Sequence, residues 1–325
     1  MTPGIHRLAV PTPYAIGDAN TYLIEDEPLT LVDTGPGSTG AFDALAAGLA
    51  EHGRSLGEIE LVLVTHEHLD HIGLAREIVE HSGARVACLD RLATYAANFG
   101  SAAAADRAFA GELMRANGVD DATVERHGAP VPAREMSFDT DIVLQEGSTI
   151  ELRDRRLRVL HAPGHSATDT LFHDEQSGAL FAGDHLLPTV SSNALVASRP
   201  FAPDGAPRRP ERRRALVEYL ESLARTRELE LDVVLGGHGD PIADHRALVD
   251  ERVGRIEARA MRIAGLLGGA PRSAHELAVA LWGAVATAQP YLTLSEVLGH
   301  LDLLVDAGAA VEHDDGGVAV FAGVG

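Results

Sequence analysis

Thr65 to His71 reads THEHLDH. The apolar run before it, Ile59-Glu60-Leu61-Val62-Leu63-Val64, has the character of a buried strand, and Ile72 to Val79 after it follows a helical pattern. Three histidines and an aspartate are thus packed into a turn between strand and helix. Where the backbone is extended, side chains two apart point the same way, so His66 and His68 share one target. Asp70 and His71 fall where the chain starts to coil and aim at a second point close by. Imidazole nitrogens with a carboxylate oxygen suit zinc and similar first-row divalent ions. A solvated loop that happens to be rich in histidine is the bland alternative.

The rest of the chain argues against that alternative. Upstream, Leu8-Ala9-Val10, Thr21 to Ile24 and Leu29 to Val32 read as an antiparallel meander, and the third run ends in Asp33. A helical stretch, Ala41 to Glu51, follows it. Downstream, Leu157 to Leu160 leads into a loop holding His165, and a hairpin of Thr170–His173 and Ala179–Ala182 leads into Gly183-Asp184-His185. Leu231 to Leu235 leads into Gly236-Gly237-His238. One histidine at a strand end is usually structural. Five strand ends that share His and Asp residues describe a site at one edge of a sheet.

Between these strands, Arg91 to about Gly118 is alanine-rich and helical in composition, and reads as an inserted lid or as ordinary surface helices. A linker rich in proline and arginine spans Arg199 to Pro210, and a helix is expected from Glu211 to about Arg225. A long helix is expected from Asp244 to Gly268, with Val249, Val253, Ile256, Ala260, Ile263 and Leu267 as its apolar seam. Beyond Pro271, helices at Ser273–Trp282 and Leu294–Asp306 precede a hairpin around Asp314 to Gly317, the pattern of a small winged-helix module. The expected division is a catalytic domain over residues 1–245, with a helical insertion near 90–135, and a linking helix with a winged-helix-like domain over 246–325.

Composition narrows the function. The net charge is −21, a field that repels nucleic-acid backbones unless a basic patch overrides it. All 27 basic residues are arginine, which excludes Schiff-base catalysis, pyridoxal phosphate attachment and a P-loop lysine. The single cysteine, Cys88, excludes an internal disulfide and a cysteine-based zinc site. The amino-terminal residues lack a secretory pattern and no apolar run reaches membrane-spanning length, so a cytoplasmic protein without membrane contact is expected.

The set Asp33, THEHLDH, His165, Asp184 and His238 resembles the metallo-β-lactamase-fold hydrolases over about residues 5–245, and the tail resembles the winged-helix domain of one branch. The resemblance implies an α/β protein, a four-layer αββα sandwich with the site at one edge of its β layers. It implies that His66, His68 and His165 hold one metal ion, that Asp70, His71 and His238 hold a second, and that Asp184 bridges them. Asp33 matches a residue that supports the site. Zinc is the expected metal, with iron and manganese as alternatives. Two such ions about 3.5–4 Å apart lower the pKa of a shared water towards 7, giving a hydroxide nucleophile at neutral pH. Asp70 can hold its proton, and His185 beside Asp184 is read as facing substrate or donating to the leaving group, with a structural role as the alternative. The catalytic candidates are therefore Asp70, Asp33 and His185. Asp33 and Asp169 are candidates for fixing imidazole tautomers.

The expected function is hydrolysis of an activated acyl bond in a small molecule, a thioester of glutathione or coenzyme A as in glyoxalase II-like enzymes, or a lactone. A nuclease or phosphodiesterase is the enzymatic alternative, and a non-catalytic binding protein the third. From Pro271 onward one arginine faces seven acidic residues, so nucleic acid is not the expected partner. Arg208, Arg209, Arg212, Arg213 and Arg214 could meet a substrate's carboxylates or form a solvated patch. The tail's apolar positions suit packing on the long helix or a homodimer contact.

Overall fold

Strands with both faces covered fix the layering. Ala19–Ile24 and Leu61–Leu63 are buried at every position, as are Thr170–Asp174 and Ala179–Gly183, so something must pack on each side of them. The computed structural model describes residues 2–127, 136–197 and 212–324. The linker expected at 199–210, the start of the next helix at Glu211, and Arg208 and Arg209 lie outside those residues.

The described chain forms two compact units. The first comprises Met1–Gly100, Ala133–Ser192 and Arg225–Val249. Its first sheet runs in the order β1 (Ile5–Val10), β2 (Ala19–Ile24), β3 (Thr30–Val32), β4 (Leu61–Leu63), β5 (Arg85–Leu89), β6 (Ile142–Leu144). The first three strands form the expected antiparallel meander, and β3 to β6 are parallel. Its second sheet contains β7 (Thr149–Glu151), β8 (Arg156–His161), β9 (Thr170–Asp174), β10 (Ala179–Gly183) and β11 (Val233–Gly236), in the order β11-β10-β9-β8-β7. The β9–β10 hairpin is antiparallel and β11 joins β10 in parallel.

The two sheets pack face to face, as the inner layers of an αββα sandwich. Tyr22, Ile24, Val32, Leu61 and Leu63 of the first meet Leu157, Val159, Phe172, Phe181 and Leu235 of the second in one buried cluster. Tyr22 and Phe181 stack edge to face across it, with ring centroids 5.5 Å apart. On the far side of the first sheet lies the helix Thr39–Glu51. Ser38 caps it by accepting from the Ala41 N–H at 3.2 Å, and it buries Ala41, Leu45 and Leu49, one per turn.

The helix expected from Ile72 to Val79 is broken. One turn, Leu69–Ile72, is followed by a separate helix, Ala75–Ser82. The cause is a competitor for the backbone. Thr34 donates to the His71 carbonyl through both its N–H and its hydroxyl, each at 2.8 Å, taking the acceptor that Ala75 would need. Gly73 also lies against Gly37, whose backbone nitrogen a Cβ at position 73 would meet at 2.1 Å.

The second unit gathers Ser101–Pro132, Asn193–Ala224 and Asp250–Gly325. The alanine-rich stretch is helical, at Asp90–Ala97 and Phe99–Ala116, and from Ser101 it is assigned to this unit. The long helix is present as His245–Leu266, and its Ile263, with Leu267 just past its end, enters one core with Leu113, Leu277, Val297, Leu301 and Phe321. In the tail, β12 (Arg272–Ser273) precedes helices Ala274–Trp282, Ala284–Ala288 and Pro290–Asp306. The hairpin β13 (Ala310–Asp315) and β14 (Val318–Gly323) then completes a three-stranded sheet ordered β12-β14-β13. No described helix is long and apolar enough to cross a membrane.

Candidate metal centre

Parallel pairing brings the carboxyl ends of β3 and β4 to one edge of the first sheet, and those of β10 and β11 to one edge of the second. Asp33 follows β3, THEHLDH follows β4, Asp184 follows β10 and His238 follows β11, while His165 sits in the loop between β8 and β9. The two edges are tied together. The Thr170 N–H donates to the Thr65 carbonyl at 2.9 Å, and Asn20 donates from its N–H to the Gly237 carbonyl at 2.7 Å and from its amide to the Gly236 and Gly239 carbonyls.

The side chains fall into two groups. His66 Nε2 and His165 Nε2 lie 3.0 and 2.9 Å from His68 Nδ1, so three ring nitrogens converge. These spacings approach the roughly 3.3 Å between nitrogens held tetrahedrally at 2.0–2.1 Å from one zinc ion. In the second group His238 Nε2 is 3.3 Å from Asp70 Oδ2, and Asp70, His71 and His238 present ligand atoms within 4.8 Å of one another. Asp184 stands between the groups. Its Oδ1 is 3.4 Å from His71 Nε2, and its Oδ2 is 3.6 Å from both His165 Nε2 and His238 Nε2.

Asp33 organises both groups at once. It has a left-handed backbone, φ 59°, which an aspartate adopts at some cost. Its Oδ1 accepts the Thr65 N–H and its Oδ2 accepts the Thr65 hydroxyl and His71 Nδ1–H, all at 2.8 Å. With its proton committed to Asp33, Thr65 Oγ1 accepts from His66 Nδ1–H at 2.9 Å. Two imidazoles are thereby fixed with Nδ1 protonated and the Nε2 lone pair aimed inward. His238 is set the same way by the Asp18 carbonyl, which accepts its Nδ1–H at 2.8 Å.

Glycine leaves room for this. A Cβ at Gly237 would lie 2.3 Å from Asp184 Oδ1 and 2.6 Å from His71 Cε1.

The residues fit a pair of divalent ions. His71 Nε2, His238 Nε2 and Asp184 Oδ1 are buried without a hydrogen-bond partner, each at a cost of about 1–3 kcal/mol that a bound cation offsets. Neutral imidazoles with carboxylates are the donor set for zinc and its first-row neighbours. On the chain's own charges, burial and the neighbouring histidines push His66 well below the ordinary imidazole value. Burial also works against a charge on His71, but Asp184 and Asp33 outweigh it and hold that ring well above its ordinary value. His238 is likewise raised, burial being overcome by Asp70 and Asp184. Burial opposes the Asp184 charge, yet His71, His165 and His238 hold its carboxyl far below the usual range.

The structure thus brings together Asp33, His66, His68, Asp70, His71, His165, Asp184 and His238. It does not bring His185 to the opening. That ring is fully buried, its Nε2 lies 2.9 Å from Thr226 Oγ1, and burial pushes its pKa down to about 3, which favours the structural reading over contact with substrate. Asp169 accepts the Ser166 N–H at 2.7 Å and closes the loop that carries His165. Arg212 and Arg214 are engaged within the second unit. Arg212 forks onto Asp302 with two contacts of 2.6 Å, Arg214 reaches Asp306 at 2.6 Å, and Arg213 pairs with Glu218. Sequence reasoning missed Thr65 and Asp18. Thr65 opens the motif and was there to be read, whereas Asp18 acts through its backbone carbonyl, which no side-chain pattern reveals.

Comparison with known proteins gives the family. A family model described as the metallo-beta-lactamase superfamily matches residues 15–238. The chain is 30% identical to the "Probable metallo-hydrolase YqjP" of Bacillus subtilis, over 98% of each chain. It is 36% identical over 172 residues to the "Acyl-coenzyme A thioesterase MBLAC2" of Gallus gallus, a match covering 51% of this chain and 57% of that one. The crystal structure of a metallo-beta-lactamase family protein from Thermus thermophilus superposes with a TM-score of 0.81 at 30% identity over 99% of each chain.

Replacing Asp33 with Asn tests the organising carboxylate, because asparagine also tolerates a left-handed backbone. Competition against a chromophoric chelator should show both ions bound about 10–100-fold more weakly. Wild-type affinity in Asp33→Asn would remove Asp33 from this role.

The raised His71 and His238 give a pH dependence with a defined sign. Below its raised pKa each ring takes a second proton, on the ligand nitrogen Nε2, so apparent metal affinity should weaken as pH falls through those raised pKa values. Zinc calorimetry in buffers of different ionisation enthalpy should report more protons released per ion as the pH of the titration is lowered. Zinc uptake whose proton release does not grow as pH falls would contradict the assignment.

Proposed function

The chain belongs to the metallo-β-lactamase superfamily and is a metal-dependent hydrolase, and on that premise we propose that it hydrolyses an activated acyl bond, above all an acyl thioester such as that of coenzyme A. The observation that carries the reading is the convergence of seven His and Asp donors, buried or partly buried, in two groups sharing Asp184. We take the ions to be zinc, held by His66, His68 and His165 on one side and by Asp70, His71 and His238 on the other. When bound, such ions would activate a water and polarise the acyl oxygen, supplying the nucleophile that no serine or cysteine here need provide.

The chain's own residues do the rest. Asp184 supplies negative charge to both groups. Asp70, beside His238, orients the attacking water and holds its proton. Asp33 and Thr65 keep His66 and His71 in the tautomer that leaves Nε2 free. The burial of His185 bears on the substrate. With that ring withdrawn, the acid offered to the leaving group is gone. A thiol has a pKa of about 8.5, so a thiolate departs without an acid, whereas the alkoxide of a lactone benefits from one. The partial match to an acyl-coenzyme A thioesterase supports the same class.

The nuclease reading finds little support. The tail's order of strand, three helices and hairpin resembles that of a winged helix, a module that in other proteins can meet nucleic acid. Here Arg272 stands alone against seven acidic residues from Pro271 onward, leaving almost nothing to neutralise phosphates.

Side-by-side assays on an acyl-coenzyme A, a lactone and bis(p-nitrophenyl) phosphate should give the fastest turnover with the thioester. Asp184→Asn should cut that turnover on the order of 100-fold with an unchanged circular dichroism spectrum. A phosphodiester preferred over the thioester, and lost in the same variant, would replace the acyl reading with the nuclease one.

A further inference from the structure

Glu67 lies between the first two histidines of the motif, where neither ion group claims it. It is nevertheless held from the other sheet. Its Oε2 accepts the hydroxyls of Ser166 and Thr168 in short hydrogen bonds. Those two hydroxyls are themselves in contact at 3.2 Å, and Ser166 Oγ also accepts the Thr168 N–H at 2.9 Å. Ser166 and Thr168 are buried, at 4% and 6% exposure, and they flank the turn that follows His165. The carboxylate therefore joins the loop after β4, which carries His66 and His68, to the loop after β8, which carries His165.

The three-histidine group needs such a joint. Its nitrogens come from two sheets, and a shift of one loop against the other separates His165 from His68 directly. The second group is braced elsewhere, since Asp33 holds His71 and the Asp18 carbonyl holds His238. We infer that Glu67 is a positioning residue that locks His165 onto His66 and His68, so that it governs the affinity of the three-histidine subsite and leaves the other subsite unaffected. This rests on the proposed two-ion centre.

Removing the carboxylate strands two buried hydroxyls and frees the joint. Glu67→Gln keeps an acceptor oxygen for at least one of them, whereas Glu67→Ala keeps none. Zinc titration of the full chain against a chromophoric chelator reads the two equivalents separately. In Glu67→Ala one equivalent should weaken about 10–100-fold and the other should stay within about twofold. Glu67→Gln should recover most of the loss, and Thr168→Val should weaken the same equivalent. In a His165→Ala background, Glu67→Ala should add nothing further, because both changes act on one subsite. Two wild-type equivalents in Glu67→Ala would overturn the inference. So would equal weakening of both equivalents together with a lowered melting temperature, the mark of a merely structural residue. A wild-type chain that takes up no zinc would overturn the two-ion centre itself, and this inference with it.

Discussion

The Asp33 carboxylate is bonded at once to the Thr65 backbone, the Thr65 hydroxyl and the His71 ring, and through Thr65 it also fixes His66. Each of the two donor groups thus has at least one imidazole whose tautomer is set by the same two oxygens. The left-handed backbone at Asp33 is what turns this side chain back across the end of β4. Strain of that kind, of order 1–3 kcal/mol, persists only where the surroundings over-determine it. Here four partners do so: three hydrogen bonds to the side chain, and the residue's own N–H bonded to the Leu63 carbonyl.

The sandwich exists, in functional terms, to hold two sheet edges in register. Leu61 and Leu63 pack into the shared core, and the strand that contains them delivers THEHLDH. Phe172 and Phe181 do the same for the strands that frame His165 and Asp184. At the edge itself apolar packing gives way to polar joints: Thr170 on Thr65, Asn20 on the turn before His238, and Glu67 on Ser166 and Thr168. Concentrating buried carboxylates and imidazoles at one edge is unfavourable unless each is paired. Among the described residues, His71 Nε2, His238 Nε2 and Asp184 Oδ1 at this edge lack hydrogen-bond partners and are aimed at the proposed ions, so cations bound there would complete the fold.

Much of this was legible in the residues. Alternation and short apolar runs bounded by turn residues located the strands, because a run too short for a helix and apolar on both faces fits a strand between two layers. The eight site residues stood at strand ends, where a functional histidine separates itself from a structural one by company. What stayed hidden depended on direction. His185 is adjacent to Asp184 in sequence, yet its ring points into the protein towards Thr226. The arginines at 212 and 214 looked available for a substrate, but Asp302 and Asp306, about 90 residues later in the chain, take them. The break at Gly73 is set by Thr34 from another strand's end, and no local propensity announces it.

The central claim is that one chain presents two complete subsites sharing Asp184, and metal content tests it most directly. Elemental analysis of protein purified with metal supplementation should saturate at two divalent ions per chain. Saturation at a single equivalent, with Asp70 and His238 unligated in a crystal structure of that protein, would contradict the account.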